Sequence, residues 1–419
     1  MAPAPSLAEL TRVFGRIGIL SFGGPAAQIA LMQEELVETR PWLTQPQFLN
    51  ALSFCMLLPG PEAMQLATYA GWRLRGTLGG LIAGGLFVMP GACVIFALAF
   101  AYALLGAVPL VQAVFLGVQA AVVVIVLKAL LGLARRTLTA PDRWMLAGLS
   151  FAALFVFGLP FPLIIALSAV YGALRIRVAP VAAPDLTTRL PRPNWARIAL
   201  WLVAWLAPIA LLWASGANFL TQVALFFAKL AVVTFGGAYA VLAYMTQEVV
   251  SDRAWLGPAQ MIDALGLAET TPGPLILVTQ FVGFLAGFLQ GGPGLAVAAA
   301  LVTLWVTFVP CFLWIFTFAP YVDWIATRPR LTGALQGITA AVVGVILNLA
   351  LWFALHVLFD HLHPVELPGI ALVLPELTSL DGRAVFVTLA AAYLLLRLKL
   401  GMPTVLAFCA GLAGLLALF

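Results

Sequence analysis

The chain has 419 residues, 63% hydrophobic and only 9% charged, with a formal net charge of +5. A soluble domain carries about 45–50% apolar and about 25% charged residues, so no soluble core could hide this much apolar surface. The basic residues sit in short clusters between apolar segments, which argues against a nucleic-acid surface and suits the cytoplasmic loops of a membrane protein.

In chain order, residues 1–18 lack the basic region, apolar run and cleavage site of a secretory leader, so no cleaved signal peptide is expected. A glycine-rich break follows at Ser21, Phe22, Gly23, Gly24 and Pro25, then a polar connector with Glu35 and Arg40 ahead of Trp42–Leu43. A second break, Pro59, Gly60 and Pro61, leads into Glu62. Arg73 and Arg75 precede the apolar run from Leu78 to Leu105, and another runs from Val111 to Leu127. Each run is long enough to cross a ~30 Å hydrocarbon core as a helix. Neutral turns at Leu105 to Pro109 and Leu159 to Pro162 alternate with basic stretches at Arg135, Arg136 and Arg143 and from Arg175 to Arg197. The Pro- and Arg-rich stretch from Val178 to Asn194 reads as a cytoplasmic linker, and Ile198 to Trp213 as one extra helix.

The chain then repeats itself. A shift of 213 places Phe22–Gly23–Gly24 on Phe235–Gly236–Gly237, Arg40 on Arg253, Trp42–Leu43 on Trp255–Leu256, and Pro59–Gly60–Pro61 on Pro272–Gly273–Pro274. About 18 identities fall in about 58 ungapped positions, where chance gives ~5. The loop charges exchange between the copies. The loop matching Arg73 and Arg75, Gln290 to Gly294, is neutral, while the one matching the first neutral turn carries Arg328 and Arg330. An inverted repeat accounts for this exchange. The predicted fold is an all-α polytopic membrane protein, with two homologous halves as an inverted repeat with broken or re-entrant helices and about 9–13 spans. Residues 1–177 form the first repeat, 178–219 the linker plus one connecting transmembrane helix, and 220–419 the second, inverted repeat. The N-terminus is placed in the cytoplasm and the C-terminus outside.

The matched breaks are the candidate substrate site. In the second copy they are Thr234, Phe235, Gly236 and Gly237, then Thr271, Pro272, Gly273 and Pro274. Unwound backbone at membrane depth is tolerated where protein or a water-filled cavity satisfies it, and a half-helix starting there presents free N–H groups to an anion. Close packing at Gly-Gly and a plain kink at Pro-Gly-Pro are the alternatives; the matched positions in two inverted halves favour a site. Arg16 and Lys229 align across the copies, each seven residues before the first glycine, and could neutralise a divalent anion. Snorkelling to the interface is the competing role. Glu62 and Glu269 flank the Pro-Gly-Pro breaks at non-equivalent positions and are candidates for proton coupling. Glu35 with Arg40, and Glu248 with Arg253, read as loop anchors. Cys55, Cys93, Cys311 and Cys409 lie in apolar stretches without metal or redox spacing, and read as small buried hydrophobes. His356, His361 and His363 read as solvated residues of an external loop, so no metal or cofactor is expected. No nucleophile constellation marks an enzyme.

At SFGGPAAQIALMQEE (21–35), in the run from Trp42 to Gly91, and in the second copy's TFGGAYAVL and TTPGPLILVTQFVGF, the sequence resembles the chromate ion transporter family in its long form. The resemblance implies export of chromate from the cytoplasm across the inner membrane, and chromate resistance. Sulfate is the related oxyanion, and a sulfate transporter or passive anion channel remains the alternative. The second FGG is followed by Ala238 where the first has Pro25, so the two sites need not be equivalent. The implied partners are chromate, sulfate and the lipid bilayer; a homodimer is left open.

Overall fold

The computed structural model describes residues 5–106, 108–176, 193–235, 238–322, 328–367 and 370–418, without the side chains of 364–372. Helices dominate, and among the described residues five are long and apolar enough to cross a membrane. The chain is a multi-pass membrane protein. One small departure from an all-helical chain is an antiparallel hairpin, β1 (Leu362–Leu367) with β2 (Ile370–Pro375), in register from Leu362 opposite Pro375 to Leu367 opposite Ile370. It lies in the segment read from sequence as a histidine-bearing loop. His356 is not in that loop: it remains in the last turn of a helix, stacked on Trp352 at 3.9 Å.

Contacts divide the chain into two compact units, each drawing on both halves of the sequence. The first comprises residues 1–100, 178–238 and 271–332. It opens with α1 (Leu7–Leu20), α2 (Gly24–Gln33), α3 (Gln45–Cys55) and α4 (Glu62–Leu105, whose last residues enter the second unit). α1 is about 21 Å long, too short to cross the hydrocarbon alone. α3 starts where Thr44 and Gln47 cap each other reciprocally, side chain to backbone. The matching Gln260 accepts from the Gly257 N–H at 2.9 Å, so the second copy keeps the glutamine half of this cap, with glycine in place of Thr44.

α4 doubles back on itself. Arg75 (φ −141°, ψ 27°) and Gly76 (φ 62°, ψ −157°) leave helical geometry, separating a short arm, 62–74, from a long one, 77–105. A Cβ on Gly71 would lie 2.2 Å from the Gly79 carbonyl oxygen, so the arms meet where neither carries a side chain. Helix α12 (Val278–Phe318) of the same unit repeats the device at Gly291 (φ −162°, ψ 22°) and Gly292 (φ 77°, ψ −166°). This reversal falls within the loop matched by sequence to Arg73 and Arg75.

The extra helix predicted from Ile198 to Trp213 is α8, Trp195–Ala214. It packs on α12 and on α9 (Asn218–Val233). Two indoles fasten it to α12: Trp205 donates to the Val306 carbonyl at 3.0 Å, and Trp305 donates to that of Ala204 at 2.8 Å. Only Trp205 and Ile209 of α8 are buried and Trp201 stacks on Phe312 and Phe316, while Leu200, Val203 and Leu211 stay exposed, as suits a helix facing lipid.

The second unit comprises residues 101–177, 239–270 and 333–419. Its members are α5 (Pro109–Thr137), α6 (Pro141–Phe155), α7 (Phe161–Arg175), α10 (Ala238–Thr246), α11 (Pro258–Thr270), α13 (Pro329–Leu358), α14 (Gly382–Ala392) and α15 (Met402–Leu416). α11, α14 and α15 pack against α5. Small residues allow the close approaches that membrane helices favour. A Cβ on Gly117 of α5 would meet the Cys409 carbonyl oxygen of α15 at 2.1 Å, and one on Gly266 of α11 would meet Val118 at 2.2 Å.

Candidate functional site

The four breaks lie in the first unit and meet in two pairs. α1 ends at Leu20, and Ser21, fully buried, donates its hydroxyl back to the Ile17 carbonyl at 2.5 Å. Gly23 (φ 84°) and Gly24 (φ 80°) then turn the chain into α2, whose start has no side-chain cap. In the second copy, Thr234 donates to the Leu230 carbonyl, also at 2.5 Å. Phe235 follows; Gly236 and Gly237 lie outside the described residues.

Each Pro-Gly-Pro break binds the Gly-Gly break of the other copy. The Gly60 N–H donates to the Thr234 carbonyl at 2.9 Å, and the Gly273 N–H donates to the Ser21 carbonyl at 2.9 Å. The shift of 213 carries one bond onto the other. Both glycines have positive φ, 120° and 87°, a region that side chains disfavour. Pro272 lies so close to α4 that a Cβ on Gly91 would sit 2.1 Å from its carbonyl oxygen.

Two glutamines brace the crossings. Gln28, 1% exposed, donates to the carbonyls of Gly273 at 2.6 Å and Ser21 at 3.2 Å. Gln65, fully buried, donates to that of Pro59 at 2.7 Å. The carbonyls fix the orientation of both amides, and each Oε1 is left without a partner among the described residues. Neither residue was singled out from sequence. Each is a polar side chain within a few residues of a break, and that is the signal that could have found them.

The charged candidates are distributed differently. Arg16 lies on the exposed side of α1, and its guanidinium is 3.5 Å from Glu35, which is also paired with Arg40. Lys229 occupies the matching exposed side of α9. Both side chains are exposed, whereas Ser21 and Thr234 of the crossings are buried. The loop-anchor pairs form in both copies: Arg40 with Glu35, and Arg253 with Glu248 at 3.2 Å. Glu62 opens α4 half-buried, beside the first Pro-Gly-Pro. Glu269 belongs to the second unit, 3% exposed, where its carboxylate accepts from the Tyr239 hydroxyl at 2.6 Å. Cys55, Cys311 and Cys409 are buried as expected, but Cys93 is exposed on α4.

Unwound backbone between half-helices, satisfied by a second copy of the same motif, is the arrangement expected of a membrane transporter of duplicated, broken-helix type. The chain belongs to the chromate transporter family, whose sequence model matches residues 8–173 and again 221–415, once in each half. It is 32% identical to the chromate transport protein of Cupriavidus metallidurans, covering 82% of each chain. It is 33% identical to that of Pseudomonas aeruginosa, covering 82% of this chain and 80% of the relative. An uncharacterized transporter of Methanocaldococcus jannaschii is 25% identical over 84% of this chain and 85% of its own. No solved structure matches the chain.

Proposed function

We propose that the protein exports chromate from the cytoplasm, with the oxyanion received at the Gly-Gly and Pro-Gly-Pro breaks. The observation that carries this reading is the reciprocal pair of crossings, Gly60 to Thr234 and Gly273 to Ser21. It holds four unwound segments together, and the half-helix starts beside them offer N–H groups to an anion. The names of the bacterial relatives support chromate as the cargo. Arg16 and Lys229 supply countercharge on the approach to the breaks, and Glu62 and Glu269 are sites where a coupled proton could reside. Expelling an anion from a negative interior is downhill by ~2.3 kcal/mol per charge per 100 mV, so a potential alone can drive export.

The two halves lie in opposite orientations, with the N-terminus cytoplasmic and the C-terminus external. Protease accessibility of tags at the two ends of the chain, compared between intact cells and everted vesicles, tests this orientation.

The decisive experiment is chromate flux in everted membrane vesicles with sulfate as competitor. Saturable accumulation, competed by sulfate and conferring resistance in whole cells, is the expected result. No accumulation under an imposed potential or pH gradient would overturn chromate export, and single-channel currents would replace the carrier with a channel.

A further inference from the structure

Helix α11 carries two buried carboxylates, and the one nearer its middle has the environment of an ion site. Asp263 is 3% exposed. Its Oδ2 accepts from the Tyr102 hydroxyl at 2.7 Å and its Oδ1 from the Gln119 amide at 2.8 Å. Among the described residues, no Lys, Arg or His forms an ion pair with it. A buried carboxylate without a cation is costly in its charged form. At membrane depth such a group marks an ion or proton pathway.

The surroundings hold few other titratable groups. Tyr102 comes from the end of α4. α5 presents Gln119, and its nearest basic residue, Lys128, lies nine positions on, about 13 Å along the axis. α15 contributes Cys409 as its one titratable side chain. On α11 itself, Glu269 is held by Tyr239.

The duplication adds a comparison internal to the chain. The shift of 213 places Asn50 of the first copy at the position of Asp263. Asn50 is exposed and has no titratable proton, so one copy alone carries an acid here. The network serves both protonation states of that acid. With the carboxylate ionised, Tyr102 and Gln119 both donate to it. With Oδ2 protonated, the carboxyl donates to the phenol oxygen while Gln119 still donates to Oδ1.

We propose that Asp263 is the proton-binding site through which this transporter responds to a pH gradient. It takes one proton from the water on one side in one conformation and releases it on the other side in the next, opposite to the oxyanion. The cargo rests on the chromate reading; the proton site does not.

The test compares wild type with Asp263→Asn in liposomes. It measures chromate flux driven by an imposed pH gradient at clamped potential, and chromate counterflow without a gradient. The variant is expected to lose the response to the gradient while counterflow persists. A wild-type response in the variant would overturn the proposal. Should the variant fail to insert, Tyr102→Phe decides. The lost hydroxyl favours the ionised form, so its removal raises proton affinity and moves the pH midpoint of gradient-driven flux upward, by about one unit. An unmoved midpoint overturns the site. A readout independent of cargo is the carboxyl C=O infrared band in pH-difference spectra, of which Asp263→Asn should lose one component that wild type shows. An intact band with no chromate flux in wild type would count against the cargo alone, whereas a band unchanged in the variant would count against Asp263.

Discussion

The backbone N–H of Gly273 donates to the carbonyl of Ser21 at 2.9 Å, joining the second break of one repeat to the first break of the other. Its mate, Gly60 to Thr234, has the same length. Unwound backbone in a membrane must find partners within the protein. Here each repeat supplies part of what the other lacks, which gives a physical reason for the two copies to occur in one chain.

Alanine at either crossing glycine should damage both stability and flux. The positive φ of Gly273 and Gly60 costs a side-chain-bearing residue about 1–2 kcal/mol. At Gly60 a Cβ would also lie 2.7 Å from the Gln65 amide nitrogen and 3.1 Å from the Cys311 sulfur. Melting in detergent and chromate flux should both fall for these variants. Gly15→Ala, where a Cβ meets nothing within 4 Å, should leave both unchanged or slightly improved.

Gln28→Leu removes the donor shared by Gly273 and Ser21 and leaves a buried carbonyl poorly satisfied. The expected destabilisation is about 1–3 kcal/mol, with reduced flux at saturating chromate. Unchanged melting and flux would show that the crossing holds without this brace.

Trp205→Phe and Trp305→Phe each delete one indole bond between α8 and α12, worth about 1 kcal/mol. The two sites adjoin, so the double variant should not equal the sum of the singles. Thermal melting should register the loss, while the KM for chromate should not change.

Arg16→Gln tests the countercharge role against simple anchoring. Its exposed pairing with Glu35 contributes at most about 1 kcal/mol, so melting should move little. If Arg16 guides the anion, KM for chromate should rise, as it should for Lys229→Gln. A KM unchanged in Arg16→Gln would leave Arg16 as a partner of Glu35 only.

By itself the sequence determined the membrane setting, the duplication and the position of the breaks at Ser21–Pro25 and at both Pro-Gly-Pro motifs, while Gly236 and Gly237 lie outside the described residues. Composition and apolar run length report directly on the solvent a helix faces, and glycine and proline mark local backbone geometry. The same signals located α8 and placed both helix reversals, at Arg75–Gly76 and Gly291–Gly292, in loops already matched between the copies. The tertiary structure alone decided which break meets which, because the bonds from Gly60 and Gly273 join residues far apart in the chain and leave no local trace. It also decided the standing of Asp263, an acid eight residues ahead of the last break. Asp263 is a buried site because Tyr102 and Gln119, from two other helices, converge on its carboxylate. Arg16 shows the converse, since its alignment with Lys229 was legible but its contact with Glu35 depends on how the connector folds back along α1.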